Sequence, residues 1–341
     1  MPTPLPAAEL HLHIEGTLEP ELLVALAARN GVTLPTTDLA GLRARYRFTG
    51  LQSFLDLYYA NLPVLRTDRD FYDLGLAYLD RAAAAGVRRA EIFFDPQTHL
   101  ANGVPLAAVF TGLSAALADG RDRHGLSADL ILCFLRDLGA DAAAETLAAA
   151  LPFRGQFIGV GLDSAEVGHP PAPFRDVYAR AAAEGLHRVA HAGEEGGPDY
   201  VAQALDLLGA ERIDHGIRAM EDPALVGRLR DRQVPLTVCP LSNVALRAVD
   251  TLAAHPLPGM LAAGLRVCLN SDDPAYFGGY LDDNVAAVRA ELGLDDQQFA
   301  TLARNSFDAC FAPEADKRRW LAEVDAALSR PSPASPGFPG S

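Results

Sequence analysis

Eight short apolar segments punctuate the chain: AELHLHI, VRRAEIFF, ADLILCFL, FIGVGLD, HRVAHAG, RIDHG, VPLTVCP and LRVCLNS. They alternate with Ala- and Leu-rich stretches of helical length, the pattern of a parallel sheet with helical crossovers. Eight is the strand count of a closed (β/α)8 barrel, so the fold class is α/β, a TIM-type barrel. Helices are expected at 73–86 (DLGLAYLDRAAAAG), 173–185 (PFRDVYARAAAEG) and 198–209 (PDYVAQALDLLG), each running into a glycine, a common helix stop. The first and second strands are separated by far more chain than one crossover helix needs. Residues 17–86 therefore read as a helical insertion over one end of the barrel, placed to act as a lid. Extra C-terminal helices follow the eighth strand, in DDNVAAVRAELG, DDQQFATLARNSF and APEADKRRWLAEVDAAL. The whole of 1–330 reads as one domain, and the Pro-, Ser- and Gly-rich 331–341 reads as a disordered tail.

Charge narrows the partners. With 29 basic and 44 acidic side chains the formal net charge is -15, which repels phosphate backbones and anionic lipid and argues against nucleic acid or membrane surfaces. The four cysteines (Cys133, Cys239, Cys268, Cys310) are widely separated in apolar surroundings with no C-x-x-C pair, so they read as reduced thiols. No basic segment followed by a long apolar one opens the chain, and no apolar run reaches the ~18 residues of a membrane span. These features fit a cytoplasmic protein acting on a small molecule, with a homo-oligomer left open.

In a (β/α)8 barrel the chemistry gathers at the C-terminal ends of the strands. The first strand carries His11 and His13 two residues apart, hence on one face of an extended chain. The fourth closes in LDSAE, with Asp163 and Glu166. The fifth ends in His191, with Glu194 three residues on in HAGEEGG, the sixth in His215 within RIDHG, and the eighth in Asp272 and Asp273 within NSDDP. Each alone has a plain structural explanation: a surface strand, a core histidine, a strand-ending turn. Together, three histidines and a carboxylate converging at one end of consecutive strands suit a divalent metal, zinc being the commonest ion for such donors. His99, His124, His187 and His255 have no suggestive carboxylate partner and read as surface or structural, while His169, in EVGHPP, lies near the fourth strand end.

The stretches ELHLHIEGTLEPE, HAGEEGGP, RIDHGIRAMEDP, PLTVCPLSNVAL, HPLPGMLAAGLRVCLNSDDPAYFGGYL and ARNSF, in that order, resemble the adenosine/adenine deaminases of the metal-dependent amidohydrolase superfamily. The resemblance implies one zinc per chain on His11, His13, His191 and Asp272. By it Glu194 protonates purine N1, His215 orients the attacking hydroxide and takes up its proton, and Asp273 hydrogen-bonds N7. Glu15 stands where adenosine deaminases usually have an aspartate that reaches the ribose, and Glu166 stands where they have a glycine. Both departures are similar to the adenine deaminase branch, and both place bulk where a sugar needs room. The substrate-contacting set is thus Asp273, Glu15, Asp163 and Glu166, and the implied reaction is hydrolytic deamination of adenine to hypoxanthine in purine salvage. Adenosine, an N6-substituted adenine or aminodeoxyfutalosine are the alternative substrates, another metal-assisted hydrolysis an alternative reaction, and a catalytically silent purine-binding relative the non-enzymatic alternative.

Overall fold

A computed structural model of the chain describes residues 5–329; the tail assigned to 331–341 lies outside the described residues. Eight parallel strands lie in sequence order, β1 (Ala7–Glu9), β2 (Val87–Phe94), β3 (Ser127–Leu135), β4 (Gly159–Asp163), β5 (His187–Ala192), β6 (Arg212–His215), β7 (Pro235–Val238) and β8 (Arg266–Leu269), with helices between them. The (β/α)8 expectation is met, and all eight segments read from the sequence contain a strand. The first is shorter than AELHLHI suggests. Beyond Glu9 the backbone divides its bonds between two neighbours: Asp272 N donates to His11 O (3.1 Å), His13 N to Asp272 O (3.0 Å), and Ile14 N to Phe93 O (2.9 Å). Leu12 and His13 thus form isolated bridges, to Asp272 and to Phe93, rather than a ladder, and the first of these, with Leu10 N donating to the Asn270 side chain at 2.7 Å, joins the end of β8 back to the first strand.

The barrel interior is filled, not hollow. Phe93, Ile131, Cys133 and Val189 pack together inside it, and a Cβ on Gly161 would lie 2.6 Å from Cys133 Sγ. Towards the strand N-termini the filling turns ionic: Glu91, fully buried, pairs with Arg212 and with Arg89 (2.9 Å), and accepts from Phe311 N at 2.6 Å. Breaking such a pair from one side typically costs about 3–5 kcal/mol, because the surviving charge is left buried. This end of the barrel is structural, and it leaves the opposite end for chemistry.

Four helices separate β1 from β2: α1 (Pro20–Asn30), α2 (Leu39–Arg43), α3 (Leu51–Asn61) and α4 (Asp68–Ala84). The last is the ordinary crossover helix, packed against the helix Leu106–His124 so closely that a Cβ on Gly112 would sit 2.1 Å from Asp68 O. Its start is fastened by Asp70, which accepts from Thr67 N (2.8 Å), Arg66 N (3.0 Å) and Asn30 Nδ2 (2.9 Å) and pairs with Arg29 (2.8 Å). That ties α4 to α1. The residues beyond crossover length are therefore α1–α3, and α3 turns Leu51, Phe54, Leu55, Tyr58 and Tyr59 onto the barrel mouth. Phe54 packs against Phe277 (4.6 Å between centroids, rings tilted by 53°), and Tyr59 donates to Ser164 Oγ at 3.0 Å.

Candidate active site

At the strand C-terminal end one pocket is lined by His13, His191, Glu194, His215, Asp272 and Asp273, with Asp95 and Asp163 beside them and the α3 side chains above. One potential ligand atom from each of His11, His13, His191 and Asp272 lies within 4.8 Å of the others, and all four residues are buried. Tautomers follow from what each imidazole meets at its other nitrogen. His11 Nδ1 donates to Thr237 O (3.2 Å), His13 Nδ1 faces Asp163 Oδ2 (3.6 Å), and His191 Nδ1 faces Asp214 Oδ2 (3.5 Å). An acceptor at every Nδ1 places the hydrogen there and leaves the Nε2 lone pair for a ligand.

Those lone pairs converge without neutralising one another. His13 Nε2 and His191 Nε2 are 3.1 Å apart, and Asp272 Oδ1 is 3.3 Å from His11 Nε2 and 3.5 Å from His13 Nε2. His11 Nε2 is buried with no hydrogen-bond partner among the described residues. Nitrogen lone pairs and a carboxylate pressed together in this way fit a divalent cation with nitrogen and oxygen ligands. Burial works to raise the Asp272 carboxyl, yet the His11 imidazole beside it, with His215 and His13, holds it well below the usual range. His191 is pushed well below the ordinary imidazole value, by burial first and by His11 and His13 next. Ligation requires an ionised carboxylate and neutral imidazoles; His191 and His13 are held in the neutral direction by burial, whereas at His11 burial is outweighed, by Asp272 above all, which favours a proton that a cation would displace.

The backbone is bent to aim these groups. His215 (φ 62°) and Asp272 (φ 66°) end their strands in the left-handed region, which side chains other than glycine seldom occupy, and Ser164 (φ 69°) does so after β4. Such conformations cost on the order of 1–3 kcal/mol each and cluster at active sites. His215 Nε2 lies 3.5 Å from Glu194 Oε2 and 3.8 Å from Asp272 Oδ2. Glu194 Oε1 and Asp273 Oδ1 are buried with no partner among the described residues. Burial, and then the Asp272 charge, push both carboxyls well above their usual range, so each can carry a proton at neutral pH and give it to a ligand in the pocket.

The other two carboxylates expected at the substrate lie elsewhere. Glu166 accepts Gly193 N (2.7 Å) on Oε1, and Glu194 N (3.1 Å), Glu195 N (2.7 Å) and Gly196 N (2.8 Å) on Oε2. It stands behind the loop that carries Glu194, outside the pocket lining. Glu15, also outside the lining, accepts Asp95 N (3.0 Å) and bonds His99 Nε2 (2.7 Å) on a single oxygen. Backbone N–H groups thus occupy both oxygens of Glu166, whereas Glu15 keeps Oε2 buried with no partner among the described residues, and neither residue stands at the pocket surface. His99 is fully buried rather than superficial. Asp163 does line the pocket, paired with Asp95, which the sequence did not single out. Burial raises both carboxyls, Asp163 to about 7.

Other supporting residues escaped sequence reasoning. Asp214 faces His191 and accepts Thr237 Oγ1 (2.8 Å), and Ser242 Oγ donates to Asp272 Oδ2 (2.6 Å). Asp214 adjoins His215 in RIDHG, and Ser242 stands in PLSNVAL, so proximity to motif residues was the available signal. His169 bonds Ala165 O (2.9 Å) and lies outside the pocket lining. All four cysteines are buried and unpaired, as their spacing suggested.

Comparison with known proteins agrees with this geometry. A family profile described as adenosine deaminase matches residues 6–327. A protein of Streptomyces coelicolor named adenine deaminase is 65% identical over 325 residues, 95% of this chain and 96% of that one. One of the same name from Rhodospirillum rubrum is 58% identical, covering 94% and 96%. A crystal structure of adenine deaminase from Arthrobacter aurescens superposes with a TM-score of 0.94 at 57% identity, covering 96% of this chain and all of that one. An amidohydrolase from Burkholderia ambifaria with bound zinc superposes at 0.87 with 28% identity, covering 95% and 92%.

Proposed function

The chain belongs to the adenosine deaminase family, and on that premise we propose that it hydrolyses adenine to hypoxanthine and ammonia, using one zinc ion per chain held by His11, His13, His191 and Asp272. Relatives named adenine deaminase at 57–65% identity over nearly the whole chain support the substrate. A relative with bound zinc supports the ion. The observation that carries the reading is the placement of Glu194, His215 and Asp273 around one pocket bordered by the ligand set.

When bound, zinc supplies Lewis acidity that makes water a nucleophile near neutral pH, its pKa falling to about 7. The rest falls to the protein. An aromatic amine leaves poorly until ring aromaticity is broken, so a proton must reach N1 as C6 is attacked. Glu194, kept protonated by burial, is the donor. Asp273, likewise protonated, holds N7. His215, on the side of Asp272, orients the attacking water. Leu51, Phe54 and Leu55 of α3 exclude bulk water, which strengthens each of these polar contacts.

The test is turnover of adenine and adenosine by the purified, zinc-loaded protein, followed by ultraviolet absorbance, with ammonia measured in parallel. Faster turnover of adenine is the expected result. Faster turnover of adenosine overturns the substrate, and no ammonia from any 6-aminopurine overturns the deaminase.

A further inference from the structure

Behind His215 runs a hydrogen-bonded chain that the reaction as described does not use. It begins at a group whose hydrogen is not in question, the backbone amide of Leu257, which donates to His255 Nδ1 at 3.1 Å. His255 is buried, and burial lowers its pKa to about 4, so the ring is neutral. With Nδ1 accepting, its one hydrogen sits on Nε2. That nitrogen lies 3.2 Å from Asn243 Oδ1 and donates to it. The orientation of the Asn243 amide is thereby set, and its NH2 group is turned to His215 Nδ1 at 3.3 Å. An N–H pointing at Nδ1 requires a lone pair there. The His215 hydrogen is left on Nε2, the atom that faces Glu194 Oε2 and Asp272 Oδ2.

We propose that Asn243 and His255 are positioning residues that fix His215 as the Nε2–H tautomer, so that His215 meets the attacking oxygen as a hydrogen-bond donor, in place of the proton acceptor that the family resemblance implied. This deepens the deaminase reading and rests on it for the identity of the attacking oxygen. The tautomer itself follows from the chain of bonds alone. The opposite tautomer would set His215 Nδ1–H against the Asn243 NH2, two donors face to face in a buried site, with neither hydrogen bond made. Turning the Asn243 amide only moves the conflict, since its NH2 would then oppose His255 Nε2–H.

The experiment is two-bond proton–nitrogen NMR on zinc-loaded protein labelled with nitrogen-15 histidine, the His215 signals being assigned by their loss in His215→Gln. The Nε2–H pattern is expected for His215. An Nδ1–H pattern overturns the proposal. In Asn243→Asp a carboxylate replaces the NH2 group, and His215 is expected to switch to Nδ1–H. With the wrong tautomer kcat falls by roughly 10²-fold or more while KM for adenine stays within about twofold, because the loss is on the attacking side and not in ground-state binding. An Asn243→Asp protein that keeps both the tautomer and kcat overturns the proposal. Should that variant not fold, the wild-type spectrum decides alone. The spectrum needs no turnover, so failure of the deaminase reading, an inactive wild type, is distinct from failure of this one.

Discussion

Glu166 accepts the backbone N–H of Glu194 at 3.1 Å, and the same carboxylate holds Gly193, Glu195 and Gly196. The proton donor therefore stands on a loop organised by a second glutamate 28 residues earlier. Replacement by the isosteric amide tests this sharply, because Glu166→Gln must turn an NH2 towards backbone donors whichever way it sits. A loss of about 2–3 kcal/mol in stability and a kcat reduced by about tenfold are expected, since bonds to a charged acceptor are each worth about 1.5–3 kcal/mol. Thermal unfolding and adenine turnover measure both, and a Gln variant matching wild type in both would refute the role.

Gly16 offers a lever on Asp273 from outside the pocket lining. A Cβ at position 16 would lie 2.0 Å from Asp273 Oδ1 and 2.7 Å from its Cα, so side chain and backbone must both move. Gly16→Ala should lower kcat/KM for adenine by about 10²-fold, as misplacement of a positioning group by about 1 Å commonly does. Steady-state kinetics at full zinc occupancy provides the measurement, with wild-type kinetics as the contrary outcome.

Glu15 accepts the backbone N–H of Asp95, a residue of the pocket lining. Glu15→Asp draws the carboxylate back from Asp95 N and His99, so adenine turnover should fall without any gain in adenosine turnover. Asp95→Ala removes a group that stands in the pocket itself, and the adenosine-to-adenine ratio of kcat/KM should rise about tenfold or more, the scale of a lost steric and polar block. A ratio that rises with Glu15→Asp alone would return Glu15 to direct contact.

Removing the metal should both stop turnover and loosen the fold. Chelation is expected to lower Tm by several degrees, a bound ion at about 100 times its Kd being worth about 2.7 kcal/mol. Zinc added back at one equivalent should restore both, and a chelated chain with unchanged Tm and activity would contradict the site.

Asp70 governs an acid limb of stability remote from the pocket. Burial works to raise its carboxyl, but the Thr67 and Arg66 amides, Asn30 and Arg29 hold it below the ordinary 3.8. A depressed carboxylate adds stability above its unfolded value and gives it up as pH falls through the folded one. Asp70→Asn should thus cost about 1–3 kcal/mol at pH 7, with the difference from wild type shrinking below pH ~3.8. Urea unfolding at pH 7 and pH 3 tests the trend, and a difference that grows towards acid reverses its sign.

What was legible in the sequence, and what was not, divides along one physical line. Strand periodicity and the residue types of His11, His13, His191, Glu194, His215, Asp272 and Asp273 are local properties, and the barrel sends every strand end to the same side. Glu15 and Glu166 were placed in the right neighbourhood, but the backbone N–H groups they bind were not foreseen. A carboxylate that binds backbone N–H groups leaves no trace at its partners, since any residue supplies an amide. Asp95, Asp214, Ser242, Asn243 and His255 matter only through what faces them across space, which spacing along a chain does not reveal. The length of β1 failed for a related reason: AELHLHI has strand periodicity throughout, but two different neighbours share its second half.

The joint between the first and last strands has a consequence for how the protein is made. Asp272, which supplies both the backbone that brackets His11 and His13 and the one carboxylate of the ligand set, lies far along the chain from them. Without the stretch that holds it, the first strand would keep an unpaired edge, the kind of surface that invites association with other chains. A messenger truncated before codon 272 would thus yield a polypeptide that holds most of the site's residues and is neither a closed ring nor a metalloprotein.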